Sequence, residues 1–248
     1  MRRVPPAPPV PVRRRAGSVA APARRGRPAG PAAGTVAPEA FDPDCTRCPR
    51  LAAFLAQARV SHPGYHARPV PAFGPLRPGL LVIGLAPGFH GANRTGRPFT
   101  GDYAGVLLYA TLHAHGFASR AVAEDPADGL ELHDCRITNA ARCVPPANKP
   151  LPEEVRNCSG FLAGDLASVA PGGVLLVLGR VSHEATLRAL GLRPRDFPFA
   201  HGAEHALPDG RRLLASYHCS RYNTQTGVLT PAMFDAVVAR ARALLDAR

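Results

Sequence analysis

The chain has 248 residues and a net charge of +12, enough for one ordinary domain and an appendage. No apolar run approaches the roughly 20 residues of a membrane helix, and none has a signal peptide's apolar middle, so a soluble intracellular protein is expected. The charge is uneven: residues 1–40 hold eight Arg and one acid, Glu39, while the other 208 residues hold 22 basic and 17 acidic side chains. A basic surface favours a polyanionic partner. Yet 29 of the 30 cations are Arg in a chain rich in Ala, Gly and Pro, a composition that a G·C-biased genome also produces. Six cysteines in an intracellular chain favour metal or cluster ligation over a disulfide framework.

In chain order, residues 1–40 contain nine Pro and ten Ala without apolar periodicity. Such a segment cannot bury enough surface to offset its ordering entropy. It is expected to be a disordered basic tail, holding DNA loosely by counterion release or simply dispensable, with the domain running from 41 to 248. Cys45-Thr-Arg-Cys48 leads into a short helix over 51–60, followed by a loop rich in Pro and Gly. The apolar run Leu80–Leu85 predicts a strand buried on both faces. After it comes a glycine-rich loop, then a helix from Tyr103 to about His115. Residues 119–130 suggest a short helix and turn, and His133–Asn139 a second strand. Pro152 with Glu153 and Glu154 marks a helix start, with Val155, Cys158, Leu162, Leu166 and Val169 as one stripe. Gly173–Gly179 is a third strand, followed by a helix over about Ser182–Leu190. A fourth strand ends at His218, and a last helix begins near Pro231.

Apolar strands alternating with helices imply a three-layer α/β/α fold with a central, mainly parallel four-stranded sheet. In such sheets ligands bind at the carboxyl ends of the strands. Three polar motifs follow three strands, so the topology puts them on one edge: the Gly84–Asp102 loop, Asn139 with its neighbours, and His218 with its neighbours. The loop offers charge in Arg94 and Arg97, stacking surface in Phe99 and a carboxylate in Asp102, behind glycines that let backbone N–H groups approach a ligand. It lacks the Lys-Ser or Lys-Thr ending of a phosphate-binding P-loop.

Cys45 and Cys48 form a C-x-x-C pair, and Cys143 and Cys158 can complete a four-thiolate site, which either zinc or an iron–sulfur cluster would satisfy. Cys158 also fits as a plain core residue on its helix stripe. Cys135 reads as core, and Cys219 is ambiguous.

Three motifs give the chain a family resemblance. They are G-L-A-P-G-x-H-G-x-N-R-T-G-R-P-F-T-G-D at Gly84–Asp102, I-T-N-A-x-R-C-V-P-P at Ile137–Pro146, and H-x-S-x-x-N-T-x-T-G at His218–Gly227. With them the chain resembles the iron–sulfur uracil-DNA glycosylases, closest to the type b, or family 5, enzymes, over roughly residues 43–246. Family 4 has Gly-Glu-Ala-Pro-Gly where this chain has Leu85 before Ala86. The resemblance implies removal of uracil, and of other deaminated bases such as hypoxanthine or xanthine, from DNA by a monomer in the bacterial cytosol, at the nucleoid. It implies a [4Fe-4S] cluster on Cys45, Cys48, Cys143 and Cys158, more plausibly structural than redox-catalytic.

By the same resemblance Asp102 orients water or stabilises the sugar cation, His218 donates to uracil O2, and Asn139 pairs with the Watson–Crick edge of uracil. Phe99 stacks on the flipped base, and Arg94, Arg97 and Arg221 hold phosphates. Gly84, Ala86, Pro87, Gly88, His90, Asn93, Ser220 and Asn223 complete the substrate-binding set. Each has a bland counterpart: Asp before a helix is a favoured N-cap, a strand-end His or Asn is often structural, a loop Phe often anchors to the core, and Arg is often merely solvated. The family commonly has Pro where this chain has Cys219, and polar amides where it has Arg221 and Tyr222, on what is expected to be the DNA-facing loop. No Lys stands at the site, which argues against Schiff-base lyase chemistry. The rival reading is an inactive iron–sulfur nucleic-acid-binding module of the same fold.

Overall fold

A computed structural model describes residues 34–248; most of the basic tail lies outside the described residues. Five strands form one sheet in the order β2-β1-β3-β5-β4. They are β1 (Leu80–Gly84), β2 (Cys135–Asn139), β3 (Val174–Leu178), β4 (Glu204–Ala206) and β5 (Arg212–Ser216). The four expected strands are all present and pair in parallel. The short fifth strand, β4, was not anticipated. It pairs antiparallel with β5 at the sheet edge, and its three residues carry no buried stripe that a pattern search would register.

The helices are α1 (Pro49–Ser61), α2 (Ala92–Thr95), α3 (Tyr103–Ala114), α4 (Pro152–Asn157), α5 (Ser159–Ala167), α6 (Arg180–Ala189), α7 (Arg221–Gln225) and α8 (Pro231–Asp246). Strand alternation divides the core between two layers. On one face Leu80, Val82 and Leu176 pack with Leu108 and Leu112 of α3 and Phe234 and Val238 of α8. On the other Leu81, Ile83, Leu175 and Val177 pack with Leu162 and Leu166 of α5 and Ala185 of α6. The continuous apolar runs of β1 and β3 follow from that double coverage. Among the described residues, no helix is long and apolar enough to cross a membrane.

Three local expectations are corrected. The helix from Pro152 is broken at Cys158, which caps the end of α4 and the start of α5. Residues 119–130 form turns without a helix. There Asp125 and Asp128 accept backbone N–H groups from Ala127 and Leu130, as short Asp side chains do in turns. The end of the presumed tail is docked: Val36 N–H donates to the Ala189 carbonyl and Glu39 N–H to the Gly160 carbonyl. Glu39 also pairs with Arg47.

Candidate active site

The β1–β2 register sets Gly84 beside Asn139, and Ala140 N–H extends the pairing by donating to the Gly84 carbonyl. The loops leaving β1, β2 and β5 therefore meet at the carboxyl edge. They enclose a cavity of about 440 Å³ walled by Ala86, Pro87, Phe99, Asp102, Asn139 and His218. Gly88, Ser220 and Arg221 also reach it.

Asp102 is the N-cap of α3. Its Oδ1 accepts the Gly105 N–H at 2.8 Å. Burial raises its carboxyl above the ordinary value, and the N–H groups of Gly105 and Ala104 pull it part of the way back. A Cβ at Gly91 would run into the Asp102 carboxylate, so glycine there is what lets α2's entry pass so close. The cap thus holds a carboxylate on the cavity wall.

Phe99 sits at φ +54°, a rare conformation for a bulky residue and one that marks functional strain in many sites. Its ring faces that of His218, with centroids 5.9 Å apart and an interplanar angle of 28°. A Cβ at Gly84 would strike both the Phe99 ring and Asn139 Oδ1. That Oδ1 is buried and has no hydrogen-bond partner. A buried acceptor without a partner is costly unless a ligand satisfies it, and Asn139 lines the cavity. Burial drops His218 to about 4, so the imidazole is neutral at pH 7, with one N–H to donate. Asn223 holds the residue by donating to its carbonyl at 2.8 Å, and Ser220 caps α7.

Other expected site residues fall elsewhere. Arg97 is buried and makes a two-pronged contact with Asp128, at 2.9 and 2.6 Å, while its Nε reaches Thr100 Oγ1 at 2.7 Å. These contacts brace the loop and engage the donors that a phosphate would need. Asn93 is fully buried beneath the loop, where its N–H donates to the Gly88 carbonyl. Cys219 is buried in the core and does not face DNA; burial, then the Asp102 charge, pushes its thiol up to about 12. Cys135 is likewise core.

Arg94 and exposed His90 border a neighbouring groove that shares Asp102 and Arg221 with the cavity. Arg94 Nε donates to the His90 carbonyl, His90 meets the Tyr65 hydroxyl at 2.8 Å, and the Arg221 guanidinium lies over the Tyr103 ring. Tyr103 and Asn148 line both spaces and were not singled out from the sequence. Tyr103 follows Asp102 directly. Asn148 takes a left-handed φ of +55°, which Asn tolerates better than most residues.

The four thiols gather on the flank of the sheet. Cys48 packs beside Cys143 and Cys45 beside Cys158. Burial pushes Cys143 up strongly, and the charges of Cys158, Cys45 and Cys48 push it further. No three His, Cys, Asp or Glu side chains among the described residues are grouped to hold one metal ion. Charge coupling reaches farther than a metal–ligand bond, so the quartet is gathered without being closed. Burial raises Cys158, and an N–H of Arg142 and its charge ease it part of the way down. The Arg142 Nε is buried without a partner. Arg50 ties the two sides together, gripping Glu154 at 2.8 and 2.7 Å.

Residues 71–242 match the model of the uracil DNA glycosylase superfamily. The chain belongs to that superfamily. It is 48% identical over 206 residues to a Type-5 uracil-DNA glycosylase of Thermus thermophilus, covering 81% of this chain and 93% of the relative. It is 42% identical to one from Mycobacterium bovis, covering 81% and 78%. Similarity to a Type-4 uracil-DNA glycosylase of Archaeoglobus fulgidus is 35% over 112 residues, 45% of this chain and 48% of the relative.

The structural role of Arg97 is testable. Arg97→Ala leaves the part-buried Asp128 without its partner and should cost about 1.5–3 kcal/mol in denaturant unfolding. The salt dependence of DNA binding should keep its slope, whereas a lost phosphate contact would lower the slope by about one.

Proposed function

We propose that the protein is a monofunctional uracil-DNA glycosylase that starts base excision repair by hydrolysing the bond between uracil and deoxyribose. The observation that carries the reading is the convergence of three groups on one cavity: the capped carboxylate of Asp102, the neutral imidazole of His218 and the orphaned Oδ1 of Asn139. The cavity's size lies within the range of small-molecule sites, about 300–1,000 Å³.

A base inside the stack is out of reach, so the nucleotide must be flipped out. Phe99 stacks on the flipped ring. Asn139 Oδ1 accepts N3–H, and its amide N–H donates to O4. Cytosine presents a bare N3 and an amino group at those positions, so both contacts fail in that orientation. As C1′–N1 lengthens, positive charge grows on the sugar and the electron pair moves onto the base. The His218 N–H stabilises the charge at O2, a donor role that needs no imidazolium. Asp102 faces the sugar and orients a water. The water oxygen bonds to C1′, its proton passes by way of Asp102 to solvent, and the base anion picks up a proton after departure. The products are free uracil and an abasic site. Arg94 and Arg221 suit the phosphates beside the cleft, and one monomer contains all these groups.

We infer further that Cys45, Cys48, Cys143 and Cys158 hold a [4Fe-4S] cluster. Its contribution would be to fix the segments around α1 and the turn after β2. The enzyme would act at the nucleoid, in the cytosol.

Strand cleavage after alkali, on duplexes with a single U, hypoxanthine or xanthine, tests the activity. Wild type should cut the uracil strand, and Asp102→Asn should lose about 10²-fold or more. Full activity in the variant would return Asp102 to capping alone, and binding without cleavage by wild type would sink the glycosylase reading. The pH profile carries a second expectation. Raised Asp102 gains its proton earlier on acidification than an ordinary carboxylate of about 3.9, so kcat/KM should fall on an acid limb above that value. His218 stays neutral until about pH 4; a limb centred near 6.5 would contradict that assignment. Anaerobically purified protein should be brown with about four irons per chain. A colourless protein with a single zinc would remove the cluster.

A further inference from the structure

β2 is an edge strand. Among the described residues its outer side has only an isolated bridge, Ile137 to Phe73, yet it must present Asn139 to the cleft with little freedom. A ladder on one side fixes where the strand end lies but resists rotation about its axis weakly. We propose that Asp165 of α5 is a positioning residue for Asn139. The proposal rests on the base-reading role given to Asn139 above.

Asp165 is 8% exposed and collects three donors from β2 and the turn that follows it. Thr138 Oγ1 donates to its Oδ2 at 2.7 Å, Arg142 Nη2 donates to the same oxygen, and Arg136 Nε stands 3.5 Å from Oδ1. Residues 136 and 138 share one face of the strand, and 139 points to the other. Clamping the α5 face at 138, and again past the turn at 142, therefore sets the rotation that aims Asn139 into the cleft. None of the three donors touches the cavity.

The same clamp faces the cysteines. Arg142 precedes Cys143, gives an N–H and its charge to Cys158, and exchanges backbone contact with Val70, whose N–H donates to its carbonyl at 2.7 Å. One buried carboxylate thus sits between the amide that reads the base and the segment that carries two thiols. A second role in metal binding is not required of it.

Thr138→Val removes one donor without changing shape, and Asp165→Asn removes the charge. Both are measured by single-turnover cleavage of uracil duplex, alone and combined with Asn139→Ala, alongside iron content and circular dichroism. Thr138→Val should lower the rate about tenfold, on the order of one buried hydrogen bond to a charged group, with iron and fold unchanged. In the Asn139→Ala background that loss should vanish, while in an Asp102→Asn background it should persist in full. Equal losses in all backgrounds, no loss at all, or a loss that tracks iron content would overturn the proposal. Asp165→Asn should show the same pattern; if it does not fold, Thr138→Val decides alone. Asn139→Ala with undiminished activity would instead defeat the base-reading role itself, a result separable from the coupling.

Discussion

Everything at the site depends on the parallel pairing of β1 with β2. It sets Gly84 against Asn139, and the loss of a side chain at Gly84 lets the Phe99 ring and the Asn139 amide share the space that a Cβ would fill. A single backbone register thereby joins the Phe99 ring, the Asn139 amide and the start of the loop that ends in Asp102. The other features are supports for that junction. Asn223 holds the His218 carbonyl, Arg97 braces the loop against Asp128, and Asp165 grips β2 from behind.

Two of the supports are ion pairs set largely in the interior, which sets their character. A lone buried charge is expensive, and a buried pair is no great source of stability in itself. Arg97–Asp128 and the Arg142–Asp165 contact are better understood as devices of geometry. Each ties a catalytic-edge loop to a part of the chain distant in sequence. The two together brace both sides of the cleft, one through the β1 loop and one through the turn after β2.

The layers and the site's position were legible from the sequence because they rest on periodicity and on glycine. Leu80–Gly84 and Val174–Leu178 are apolar throughout, as strands covered on both faces must be, and the three polar motifs fall at strand ends. What escaped was set by tertiary partners. Nothing local distinguishes Arg97, which meets an acid 31 residues away, from Arg94, which stays at the groove. Cys158 satisfies a helical stripe but in the fold interrupts the helix. β4 is too short and too exposed to carry a pattern, and Asn148 is brought to the cavity by a left-handed turn that composition does not announce. Cys219, ambiguous from the sequence, shares its motif with residues expected on the DNA-facing loop, yet the chain turns it inward directly after His218.

Asp102 is held as a cap, by N–H groups at the positive end of α3. The cap tethers the carboxylate to the first turn of α3. On the proposed function, a flipped nucleotide that closes the cleft would displace the water that shares in solvating that carboxylate, while the α3 amides remain. Its affinity for a proton would then rise. The group would become a stronger base only once the lesion is seated, and undamaged DNA passing over an open cleft would meet a weaker one.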